Sequence, residues 1–235
     1  MVDVNFIGIT GLALADAINP CVLAVLTIIL VTLLIQEPEN RKKVLYSGLA
    51  FTIAIYIGYL FYGIIIMQFF RTFADIMREK IIEYHFYESL GILAMIIGAL
   101  NIKDFFMYKP GGIATEMPLF MRPKVKQIIK KVTSPRGAFI TGFIVTLFLL
   151  PCTIMPYFIA NGILSKIPFS EALLWLLYYN LIFILPMLVI VGLVYYGFTD
   201  VNKVSRWKER KIKSLHLIAG ILLFLVGFSL IMGWL

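Results

Sequence analysis

The run "DAINPCVLAV", residues 16–25, decides how this chain is read. It lies inside a long apolar stretch, yet it holds an ionisable Asp16, the amide Asn19, the helix-breaking Pro20 and Cys21, one of only two cysteines. On either side, residues 6–15 and 22–34 are almost wholly apolar. A transmembrane helix needs about 20 mostly apolar residues, so this stretch reads as a membrane span interrupted at its middle.

The composition supports that reading. Hydrophobic residues make up 61% of the 235, charged ones only 14%, and mean hydropathy is +0.94. A soluble domain of this size could not hide so much apolar surface, which makes lipid the expected solvent. No basic segment precedes the first apolar run and no A-x-A-like cleavage site follows it, so that run reads as a retained span rather than a signal peptide. Two cysteines without a C-x-x-C or a Cys/His cluster exclude an ordinary zinc site and a disulfide-rich secreted fold.

Six apolar runs follow one another, at about 6–34, 44–70, 81–102, 137–164, 169–197 and 213–235. Ser134 before Pro135 reads as an N-cap and first-turn proline opening the fourth. The 21 Lys and Arg fall unevenly between the connections. Arg41, Lys42 and Lys43, the eight from Lys103 to Arg136 and the six from Lys203 to Lys213 lie on one side; Arg71, Arg78, Lys80 and Lys166 lie on the other. The positive-inside rule then puts the basic connections in the cytoplasm and both termini outside. The net charge of +8 is thus a topology signal and an anionic-lipid contact, with no nucleic-acid partner expected. In the longest connection, Val125, Ile128, Ile129 and Val132 recur at helical spacing among lysines, the pattern of a short amphipathic helix on the cytoplasmic surface.

The two halves echo each other. "GILAMIIG" (91–98) matches "GILLFLVG" (220–227), and "NPCVLA" (19–24) matches "LPCTIM" (150–155). Three spans per half force opposite entry into the bilayer. The expected fold is therefore an all-α integral membrane protein: six transmembrane helices as two inverted-topology three-helix repeats, 1–102 and 137–235, joined by a cytoplasmic linker, 103–136. Such carriers work near the bilayer midplane, at the repeat interface.

Cys21 and Cys152 each follow a proline near the middle of a span, and each is a small hydrophobe if taken alone. Together they form a repeated pair. Pro20 and Pro151, with Pro156 beyond, predict breaks in spans one and four. Water admitted by a break would restore reactivity to a thiol that is inert in hydrocarbon. Two such thiols suggest a reversible disulfide, provided their Cα atoms come within about 7 Å. Asp16 reads as a proton acceptor, a cavity-lining residue or a helix cap. Asn19, Asn161 and Asn180 are candidates to satisfy freed backbone. The glycines at 91/98 and 220/227 read as close helix packing, and His85 and His216 as interfacial or capping residues.

On "NPCVL" and "PCTIMP" the chain resembles the six-span cytochrome c biogenesis proteins of the CcdA type and the membrane domain of DsbD. Pro151, Cys152, Thr153 and Pro156 match the family's P-C-T-x-x-P, whereas Ala24 stands where a second proline is common. The resemblance implies a multi-pass protein of the prokaryotic inner membrane, a thiol–disulfide oxidoreductase acting as an electron carrier. It would take reducing equivalents from cytoplasmic thioredoxin to extracytoplasmic thioredoxin-like acceptors through Cys21 and Cys152, without a cofactor. The rival expectation is a small-solute or metal-ion exporter of similar architecture with incidental cysteines, against which stands the scarcity of intramembrane carboxylates.

Overall fold

The computed structural model describes residues 6–18, 25–30, 41–76, 80–108, 120, 122–129, 132, 134–196 and 201–232. Among them nearly all are helical and none lies in a strand. The helices are α1 (Phe6–Ala17), a segment over 25–30 (α2), α3 (Arg41–Ile76), α4 (Lys80–Phe106), α5 (Arg122–Ile129), α6 (Pro135–Leu164), α7 (Phe169–Tyr195) and α8 (Val201–Ile231).

Local chemistry explains several ends. The hydroxyl of Ser134 accepts from the Gly137 N–H at 3.2 Å and Pro135 follows as the first helical residue, as its donor-free nitrogen favours. Four residues, Ser165 to Pro168, then turn α6 into α7. α1 stops at Ala17, shortly before Pro20, whose ring disfavours helical backbone in the residue preceding it.

The expected break in span four is absent. α6 runs as one helix past Pro151 and Pro156, which a neighbour-packed membrane helix tolerates. The basic stretch before span six also differs from expectation, since most of the residues read as a loop there form the first turns of α8. α5 exists, but it docks on α6 and buries Val125 and Ile129, with Val132 just beyond it. Its apolar face is therefore used on protein rather than laid on lipid.

Four helical stretches are long and apolar enough to cross a membrane: Arg41–Thr72, Glu88–Phe106, Phe169–Tyr195 and Arg210–Ile231. α3 illustrates how they face. Ile53, Ile57, Phe61, Ile65 and Phe69 form an exposed apolar stripe, while Phe51, Ile55, Tyr59 and Met67 form a buried one. A helix apolar on both faces belongs in lipid, where an exposed stripe of this kind carries no aggregation penalty of the sort it has in water. The protein is a multi-pass membrane protein.

The main packing joins the first half of the chain to the second. α4 lies against α8, α3 against α6 and α7, and α1 against α6, α7 and α8. α4 and α8 cross antiparallel through glycines. A Cβ on Gly98 would stand 2.8 Å from the Gly220 carbonyl oxygen, and one on Gly91 would stand 2.9 Å from that of Gly227. Only glycine permits backbones this close, the small-residue logic of membrane helix packing.

Candidate functional site

Several buried polar groups gather where α1, α3, α6 and α7 meet. Asp16 occupies the last turn of α1 and is 1% exposed. Its Oδ2 accepts from the Tyr179 hydroxyl of α7 at 3.1 Å, and its Oδ1 has no partner. The same hydroxyl lies 3.4 Å from the Leu12 carbonyl. No cationic side chain pairs with Asp16 among the described residues.

Tyr157 of α6 packs edge-on against Tyr179, with ring centroids 5.3 Å apart, and against Tyr59 of α3 at 5.5 Å. Its hydroxyl donates to the Tyr59 carbonyl and accepts from Asn180 Nδ2 at 3.2 Å. The Tyr59 hydroxyl pairs with Thr153 Oγ1 at 2.6 Å. A line of hydroxyls and amides thus links all four helices in an interior where each unmet hydrogen bond is expensive.

Asn161 and Asn180 have a different role from the one expected. Each donates Nδ2 to the carbonyl four residues back, Tyr157 at 2.8 Å and Leu176 at 2.9 Å. Those carbonyls are not the ones freed by prolines. Both Oδ1 atoms are buried without a partner. Three acceptor oxygens, on Asp16, Asn161 and Asn180, are therefore unmet on α1, α6 and α7.

Of the residues singled out from the sequence, Asp16 and Thr153 join this line and Pro156 is buried in α6. Asn19, Pro20 and Cys21 lie outside the described residues, as do the side chains of Pro151 and Cys152. Tyr59, Tyr157 and Tyr179 are functional-site residues that the sequence reading does not single out. Their signal was position: each falls deep within a span, where a hydroxyl must find an internal partner.

His216 is buried at the α4–α8 contact, with Nδ1 3.0 Å from Asn101 Oδ1. The Asn101 amide donates to Ile97 O, leaving Oδ1 as acceptor and His216 as donor.

The family model of Sap, the sulfolipid-1-addressing protein (SfLAP), matches residues 9–234. The chain belongs to the SfLAP family. No curated protein and no solved structure matches it. Membership overturns the resemblance to CcdA and DsbD, and with it the electron-carrier function, and leaves the thioredoxin partners without support. The physical reason is that two short motifs are not specific to one chemistry. Pro-Cys in a membrane helix marks a kink beside a small polarizable side chain, and these features serve packing as well as redox chemistry. The SfLAP match instead extends over almost the whole chain.

Proposed function

We propose that the protein takes part in addressing a lipid, as the family's name, sulfolipid-1-addressing protein, says of sulfolipid-1. The family match over residues 9–234 carries this reading. The architecture is compatible with it: apolar stripes of α3 and α7 face the bilayer, where acyl chains would remain, while polar groups are held inside. Deleting the protein from its host and profiling surface lipids by mass spectrometry tests the reading. Loss of one lipid class from the surface, restored by the wild-type chain, is expected. An unchanged profile overturns it.

Two finer features belong to the same proposal. The first is a six-span inverted repeat, with α1 and α2 together as span one. Exchanging the halves turns α3–α6 packing into α7–α1 packing and α4–α6 into α8–α1, and both members of each pair occur. The Gly91–Gly227 approach likewise exchanges with Gly220–Gly98, and both are present. The second is orientation, with both termini outside, which rests on the basic residues of one side.

A further inference from the structure

Asp16 has a surrounding that its packing role does not account for. Ten residues separate it from Phe6, and at about 1.5 Å each they carry α1 about 15 Å, half of a hydrocarbon core about 30 Å thick. The exposed Phe6 ring packs on Trp175 and Tyr178 of α7 at the other end of α1. Asp16 therefore belongs near the midplane. A charged carboxylate there is expensive to hold in hydrocarbon. Its place in the last turn of α1 adds to the cost, since the negative end of a helix dipole repels an anion.

What could offset a charge is limited. From α7 the facing titratable group is Tyr179, which donates to Oδ2. From α6 it is Tyr157, whose own hydrogen bonds run to Tyr59 O and Asn180. α8 meets α1 where Val226 stands beside Gly11, and no titratable residue follows His216 in that helix. Asp16 is the only titratable residue of α1. No three His, Cys, Asp or Glu side chains come together among the described residues to hold a metal ion.

One carboxylate, one donor and one bare buried oxygen make a site for the smallest cation. We infer that Asp16 is a proton-binding site of this protein, with Oδ1 taking up a proton from one side of the membrane and releasing it to the other as the helices around it rearrange. The O–H bond forms at the expense of a hydronium ion in one compartment and breaks to a water in the other. The inference rests on the proposed lipid-addressing role, and Tyr179 acts as a positioning residue that holds Oδ2.

Difference infrared spectra of the purified chain in lipid nanodiscs, stepped between about pH 5 and about pH 9, test it. A carboxylic-acid carbonyl band is expected to titrate in the wild type and to be missing in Asp16→Asn. Tyr179→Phe should move the midpoint of that band, whereas Tyr178→Phe, which loses only the Thr10 contact, should not. Asp16→Asn should also lose surface-lipid delivery while still inserting. Identical spectra for wild type and Asp16→Asn overturn the proton site but leave the lipid role standing, because that role is read from the deletion profile. A band that disappears on adding sodium at constant pH overturns it in favour of a metal cation. Normal lipid delivery by Asp16→Asn overturns the coupling. If Asp16→Asn fails to fold, an unmoved midpoint in Tyr179→Phe is the overturning result.

Discussion

Tyr157 is the residue on which most of the interior polar line depends. Its hydroxyl donates to a backbone carbonyl of α3 and accepts from Asn180 of α7, while its ring separates those of Tyr59 and Tyr179. Tyr157→Phe keeps the ring and strips both hydrogen bonds, leaving the Asn180 amide with only its own helix. Leaving buried partners unmet costs about 1–3 kcal/mol, so a clear fall in melting temperature in detergent is expected. Asn180 contributes through the same contact, and Asn180→Leu with Tyr157→Phe should cost less than the sum of the single changes. A strictly additive pair would show that the two side chains are energetically independent.

Among the elements, α4 and α8 make the most exacting contact. At Gly98 a Cβ would meet the Gly220 carbonyl at 2.8 Å and the Phe224 amide nitrogen at 2.8 Å, both backbone atoms that no rotamer change can move. Gly98→Leu must therefore separate the helices. Overpacking typically costs about 1–3 kcal/mol, and the variant should melt earlier or lose its α4–α8 cross-links. Gly192 supplies the contrast, with nothing within 4 Å of an added Cβ. Gly192→Ala in α7 should be neutral or stabilising by up to about 1 kcal/mol, because alanine loses less backbone entropy in a helix. At the start of α6, Ser134→Ala removes the cap on Gly137 and should cost about 1 kcal/mol, again measured by thermal unfolding. Ser134 and Gly98 are readable from the sequence: the Ser-Pro pair and the seven-residue glycine spacing each carry a local stereochemical meaning. The continuity of α6 through two prolines was not readable, because whether a proline breaks a membrane helix depends on the neighbours that receive its freed carbonyls.

At the scale of the whole molecule, orientation is the open quantity that charge predicts. Reporter fusions at the C-terminus and in the 103–136 linker should report opposite sides, with the linker cytoplasmic. The same side for both would remove the odd number of spans between them. That the protein lives in lipid, is helical and spans the bilayer several times follows from the sequence alone, because hydrocarbon leaves backbone groups few other ways to pair. Apolar runs and lysine placement are sums over residues and survive any error about their contacts. The site is different. Asp16 stood out as an oddity in "DAINPCVLAV", but its partner is 163 residues away on α7, and no local pattern links the two. Each Pro-Cys pair, by contrast, is legible in the sequence because its two residues are neighbours in the chain. The interior line of Tyr179, Tyr157, Asn180 and Tyr59 is assembled only when α1, α3, α6 and α7 pack, since hydrogen bonds depend on ångström-scale proximity that chain order does not encode.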